Sequence, residues 1–152
     1  MTRREIDSSA RDALRFRVQE RVRWSDVDAS GNILWSAYTR FVELAETELF
    51  RAAGYPYATL WDALDIWLPR VQFHLDYRSP VRLDDLLDTQ IWVARIGRSS
   101  IRFDFAMKKE DGELAAEGYL VIVAISRADA RSVEVPGLLA QALEPYRADA
   151  KT

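Results

Sequence analysis

Tyr38, Phe41, Val42, Ala45, Leu49, Ala52 and Ala53 recur at intervals of three and four residues, a period that lays them along one face of an α-helix. Gly54 and Pro56 supply its stop. An apolar face of this length has to be covered, and most of the remaining chain carries a period of two. Phe16, Val18, Val22 and Trp24 alternate with Arg15, Arg17, Arg21 and Arg23, the pattern of a half-buried strand, with Glu20 interrupting its apolar face. Val71, Phe73, Leu75 and Tyr77 alternate with Gln72, His74, Asp76 and Arg78, predicting a strand with one face buried. Leu87 to Ile96 and Ser99 to Lys108 read as a hairpin joined at Gly97-Arg98, with Ile101, Phe103, Phe105 and Met107 on one face. The β-branched centre of "LAAEGYLVIVAIS" predicts a central strand buried on both faces.

Two further segments complete the pattern. "YPYATLWDALDIWLP" is aromatic and irregular, a connecting wall closed by Pro69, and Pro136-Gly137 opens a short helix from Leu138 to Leu143. The order is therefore strand, long helix, connector and four strands, with the short later connections favouring antiparallel pairing. One helix and five strands bury the helix face only if the sheet wraps around it, an α+β arrangement whose edge strands invite a second subunit. Residues 1–13 are charged and aperiodic and read as an N-terminal arm, 14–146 as a single domain and 147–152 as a C-terminal tail.

The bulk numbers remove several classes of function. With 152 residues, 49% of them apolar and 30% charged, the chain reads as an ordinary globular domain. A net charge of -3 speaks against a non-specific nucleic-acid binder, which needs a basic excess to displace counterions. Zero cysteines exclude disulfides, thiolate metal sites and a cysteine nucleophile. The single histidine, His74, excludes a two-histidine zinc site within one chain and reads as a surface or interface residue. No stretch approaches the roughly 18 apolar residues that span a bilayer, so the expectation is a soluble, cytoplasmic protein without a membrane partner. Carboxylates are left as the main acid-base groups.

Two of them sit close together in "RWSDVDASGNILWSAY", Arg23 to Tyr38, where a strand gives way to the long helix. By capping preference alone Asp28 reads as a turn or cap residue, and Asp26 as a turn residue. A metal site built on the pair would need more oxygen ligands than the stretch offers. Glu43 and Glu46 read as lying on the solvated or subunit-facing side of the helix, Glu43 being the better candidate for a buried contact near the site.

Four segments in unbroken order carry a resemblance. "VRWSDVDASGNILWSAYTRFVELAETELFRAAGY", "LPRVQFHLDYRSPVRLDDLLDTQIWV", "IGRSSIRFDF" and "GYLVIVAIS" run from Val22 to Ser126, within a match that covers about Phe16 to Ser126. They resemble the hotdog-fold acyl-CoA thioesterases of the 4-hydroxybenzoyl-CoA thioesterase type, including that family's D-x-D-x-x-G turn before the core helix. The resemblance implies an antiparallel five-stranded sheet wrapped around one long central helix. It implies hydrolysis of an acyl-CoA thioester to free acid and CoA, with no metal and no cofactor beyond the CoA of the substrate.

In the family the second aspartate of the turn is the reacting carboxylate, as nucleophile or as general base, and it matches Asp28. A carboxylate beside a helix N-terminus stays ionised and oriented, and backbone N–H groups there polarise a carbonyl oxygen. Asn32 and Tyr38 are the other polar groups near the turn. Trp35 stands where some relatives have histidine, and Trp67 where some have a glycine in the oxyanion loop; both are expected to line an acyl pocket. Arg98 matches a position that contacts CoA phosphate, with Ser99 alongside it. The resemblance also implies a homodimer or homotetramer with the site at a subunit boundary. Two alternatives stay open: a thioesterase acting on acyl-carrier protein through the same pantetheine arm, and a non-catalytic hotdog module that only binds an acyl thioester.

Overall fold

The computed structural model describes residues 15–148. The expected arm, 1–13, and all but two residues of the expected tail lie outside the described residues. The elements are β1 (Phe16–Arg21), α1 (Tyr38–Ala52), α2 (Tyr57–Leu64), β2 (Ile66–Trp67), β3 (Arg70–Tyr77), β4 (Leu86–Ile96), β5 (Ser100–Lys109), β6 (Leu114–Val123), β7 (Ile125–Ser126) and α3 (Gly137–Leu143). A 3-10 turn, Trp24–Asp26, follows β1, and another, Glu144–Tyr146, follows α3.

Five strands form one antiparallel sheet in the order β1-β4-β5-β6-β3, while β2 and β7 make a separate short ribbon. The register aligns Phe16, Ile91, Phe105, Gly118 and Leu75 across all five strands. Phe41, Ala45, Leu49 and Phe50 of α1 are buried in the same core as Leu87, Ile91, Phe103, Phe105, Leu120 and Ile122. This is the hotdog arrangement: the helix face identified by its period fills the inside of the curved sheet. Gly118 is dictated by the crossing, because a Cβ there would lie 1.9 Å from the His74 carbonyl oxygen and 2.9 Å from the Phe105 ring.

Four expectations are corrected. The first strand stops at Arg21, and the 3-10 turn swings Trp24 outward until it is 81% exposed. The connector contains a full helix, α2, which ends at Asp65 in the left-handed conformation (φ 53°). β6 is interior to the sheet, yet only one side of it is closed: Leu120 and Ile122 are buried, while Tyr119, Val121 and Val123 are half-buried. Its β-branched run therefore reflects sheet propensity rather than cover on both faces. β3 alternates as expected, but Val71, Phe73 and Tyr77 remain exposed, because β3 is an edge strand.

Candidate active site

The chain between β1 and α1 folds into a tight hairpin. Val27 bridges Ile33, the Asp28 N–H donates to Asn32 O at 2.9 Å, and the Gly31 N–H donates to Asp28 O at 3.0 Å. Gly31 sits at φ +79°, a conformation that costs other L-residues energy, which explains the glycine of the motif. The Ile33 N–H donates to Val81 O at 2.8 Å and the Leu83 N–H to Gly31 O at 3.2 Å, so the hairpin is fastened to the β3–β4 connection.

The two aspartates have opposite environments. Asp26 is 3% exposed. Arg40, in the first turn of α1, grips it with Nε on Oδ1 at 2.8 Å and Nη2 on Oδ2 at 2.5 Å, and the Arg23 N–H reaches Oδ2 at 2.8 Å. Burial by itself would raise the Asp26 pKa, but the hydrogen bonds and charge of Arg40, with the Arg23 N–H, bring it below the usual carboxylate value. Asp26 is thus a spent carboxylate that ties the turn to the helix.

Asp28 is exposed. Its Oδ1 accepts from Ser30 Oγ at 2.5 Å and from the Ser30 N–H at 2.8 Å, and Asn32 Nδ2 in turn donates to Ser30 Oγ at 2.9 Å. The Ser30 side chain first, and its backbone N–H second, hold the Asp28 carboxyl below its ordinary pKa. The donors on this carboxylate belong to its own turn and not to the α1 N-terminus, a correction to the helix-end expectation. Both Ser30 bonds fall on Oδ1, and the Asn32 N–H adds a smaller pull on the same carboxyl. The signal for Ser30 was in the sequence, since an aspartate two residues before a serine favours this local turn.

The remaining expected site residues divide into two groups. Asn32, Trp35 and Tyr38 lie with Asp28 in the hairpin and helix entrance. Trp35 is 76% exposed, and its carbonyl accepts from Tyr77 Oη at 3.0 Å. Tyr38 is buried edge-on against Tyr77, with ring centroids 5.0 Å apart, and its hydroxyl pKa is raised by that burial and by Tyr77. Trp67, Arg98 and Ser99 lie elsewhere. Trp67 sits in the β2–β7 ribbon between the Trp61 ring, at 5.7 Å, and the Arg127 guanidinium, at 4.6 Å. Arg98 and Ser99 form the β4–β5 turn, their carbonyls accepting from the Val135 and Ala124 N–H groups. The hairpin is at the Leu86 end of β4 and this turn is beyond its Ile96 end, so the two groups are separated by about 33 Å of strand. A single chain does not unite them.

Glu46, and not Glu43, is the buried carboxylate of α1, with 1% exposure. Tyr57 Oη donates to its Oε1 at 2.6 Å, and Arg70 Nε and Nη2 donate to its Oε2 at 3.1 and 2.7 Å. Burial first, then the charge of Glu46, push the Tyr57 phenol pKa well up. Burial works against the charge of Arg70, but Glu46 overcomes it and raises the Arg70 pKa. The sequence did carry a signal, since Glu46 follows Val42 by four residues on the apolar stripe, but its partners are 11 and 24 residues away.

Comparison with known proteins places these features in context. A family model described as the thioesterase-like superfamily matches residues 22–143. The acyl-CoA thioester hydrolase YbgC of Escherichia coli is 27% identical over 110 residues, covering 72% of this chain and 81% of that protein. A 1,4-dihydroxy-2-naphthoyl-CoA thioesterase from Synechocystis superposes with a TM-score of 0.79 at 17% identity, over 84% of this chain and 94% of that one. A Staphylococcus aureus protein solved in complex with CoA gives a TM-score of 0.81 at 16% identity, over 91% of this chain and 87% of that one. At such identities the two structures speak for the fold.

Proposed function

This chain belongs to the thioesterase-like superfamily, and from that premise we propose that it hydrolyses acyl-CoA thioesters to a free acid and CoA through Asp28. The observation that carries the reading is the state of Asp28: exposed, ionised and oriented by Ser30 within the segment that the family shares. Oδ2, the oxygen that Ser30 does not engage, is the reacting atom. Acting as nucleophile, it adds to the thioester carbonyl carbon, the C–S bond breaks, CoA leaves as the thiolate, and water then cleaves the acyl-aspartate. Acting as general base, it takes a proton from water, and the resulting hydroxide displaces CoA directly. Either route consumes one water, and neither calls on a metal. The Trp35 and Ser36 N–H groups make no hydrogen bond among the described residues and supply donors for the carbonyl oxygen at the start of α1.

In this reading the active unit is at least a dimer. β3 is an edge strand that exposes Val71, Phe73 and Tyr77, a face in want of a partner. Antiparallel pairing of two β3 edges about a twofold axis sets the Tyr77 end of one protomer beside the Arg70 end of its copy. That brings Asp28 and Trp35 of one chain toward Trp67 and Arg98 of the other, with Arg98 available to a CoA phosphate. The test is release of free CoA thiol from acyl-CoAs that vary in chain length and aromaticity, run beside the same acyl groups on acyl-carrier protein. Turnover of at least one acyl-CoA is expected. Binding without turnover across both panels would contradict the reading.

A further inference from the structure

The side-chain amide of Asn32 is satisfied at one end only. Its Nδ2 donates to Ser30 Oγ at 2.9 Å, while its Oδ1 is buried and, among the described residues, has no hydrogen-bond donor. A buried carbonyl oxygen without a partner destabilises a fold, because the water it gives up is not replaced. The backbone at this position leaves the side chain little freedom to avoid that. The Asn32 carbonyl accepts from the Asp28 N–H at 2.9 Å, and its neighbours Gly31 and Ile33 are bonded to the Leu83 N–H and the Val81 carbonyl. Turning the amide over would exchange its two ends without changing its shape, so the end that faces Ser30 is decided by chemistry.

That chemistry starts at Asp28. Ser30 Oγ carries one hydrogen and can also accept, whereas an ionised Asp28 can only accept, so at 2.5 Å the Ser30 hydrogen lies on Asp28 Oδ1. What Ser30 has left is acceptor capacity, and only the Nδ2 end of Asn32 matches it. With the amide turned over, Oδ1 would face an oxygen whose hydrogen is already committed, or would draw that hydrogen away from Asp28. The orphan Oδ1 therefore follows from a chain of donors that runs one way, from Asn32 to Ser30 to Asp28. Such a chain is polarised along its length, each donor strengthened by the one behind it. Hydrogen bonds, from Ser30 and from the Asn32 N–H, are what lower the Asp28 pKa, with no charged side chain among the causes. The direction of the Ser30 hydrogen thus bears directly on the state of this carboxylate.

We propose that Asn32 is a positioning residue for the hydrolytic step: its amide fixes the Ser30 hydroxyl as a donor to Oδ1 of Asp28 and so leaves Oδ2 as the oxygen that meets the thioester or the attacking water. The inference rests on the thioesterase reading of Asp28 and deepens it by naming the residue that sets the hydrogen-bond polarity of the reacting group. Asn32 acts through Ser30 and not on the substrate, since the oxygen it has to offer is buried. Loss of its amide lowers kcat about fivefold, what one hydrogen bond of ordinary strength is worth, and leaves KM within about twofold of wild type.

The test is kcat, KM and the pH dependence of kcat/KM for wild type, Asn32→Leu, Ser30→Ala and the double variant, on an acyl-CoA that the full wild-type chain hydrolyses, with melting curves to confirm that each protein is folded. Asn32→Leu fills the same place without a donor. It should lower kcat about fivefold and move the acid limb to higher pH, because Asp28 loses support for its ionised form. In the Ser30→Ala background the same substitution should change neither, because the residue through which Asn32 acts is gone. Asn32→Asp keeps the shape of the side chain and carries the test if leucine is not tolerated: it takes the Ser30 hydrogen for itself and adds a negative charge, and should move the acid limb further than leucine does. A wild-type kcat and acid limb in folded Asn32→Leu or in Asn32→Asp, a loss confined to KM, or an equal loss with and without Ser30 would overturn the inference and leave the thioesterase reading intact. No turnover of any acyl-CoA by the wild-type chain would overturn that reading and this inference with it.

Discussion

Replacing Arg40 by methionine removes the clamp that separates the roles of the two aspartates, and its cost follows from the geometry. Asp26 would keep a single donor, the Arg23 N–H, for a carboxylate that is almost fully buried. Stranding a buried charge in this way costs about 3–5 kcal/mol, and since the Arg40 side chain is 30% exposed the lower figure applies. For a chain of this size about 3 kcal/mol is a fall of roughly 6–12 °C in Tm. Circular-dichroism melts at one fixed protein concentration would measure it. The double variant Asp26→Leu/Arg40→Met should recover most of the loss, because apolar replacement of a buried pair is close to neutral. The pH dependence has a definite sign. The folded pKa of Asp26 is depressed, so its contribution is fully present above the unfolded value of about 3.9 and is lost as pH falls through the lower folded value. A single variant that melts within about 2 °C of wild type, or a double variant no better than the single, would refute the reasoning.

Two other outcomes follow from the same contacts. Ser30→Ala deletes the donor that contributes most to lowering the Asp28 pKa. Because Asp28 has to be ionised to react, kcat/KM falls on the acid side, and in Ser30→Ala that acid limb should move to higher pH; an unmoved limb in the pH–rate profile would separate Ser30 from the chemistry. Phe73→Lys places a charge on the exposed face of the β3 edge, and should shift the protein toward monomer by analytical ultracentrifugation with a parallel loss of turnover. Full activity in a monomeric variant would remove the subunit boundary from the site.

The elements that the sequence made legible are those whose signal is local. The α1 stripe, the β4–β5 hairpin at Gly97 and the Gly31 turn each depend on residues a few positions apart, and each stands where its period or turn chemistry put it. Trp24 was misread because alternation does not say where a strand ends, and the 3-10 turn that reverses it is held by Asp26. The exposed face of β3 is a different case: its apolar alternation is real, but no element of its own chain covers it.

The same contrast governs the site. Asp26 and Asp28 look alike in the sequence because the residue that distinguishes them, Arg40, lies 14 positions from Asp26 on another element. Glu43 and Glu46 were likewise separated by Arg70 and Tyr57, which only the packing of α2 and β3 against α1 brings into reach. Trp67 and Arg98 were grouped with Asp28 through the resemblance alone, and within one chain they are at the far end of the sheet.

The central claim is that Asp28, and no other carboxylate, does the chemistry. The direct measurement is release of free CoA thiol by wild type and by Asp28→Asn on the same acyl-CoA, with melting curves recorded for both. Because Asp28 is exposed, asparagine should leave the fold and Tm essentially unchanged while turnover drops by at least 10³-fold, in the range seen when an essential acid-base or nucleophilic group is removed. An Asp28→Asn protein that hydrolyses acyl-CoA at the wild-type rate would contradict the account.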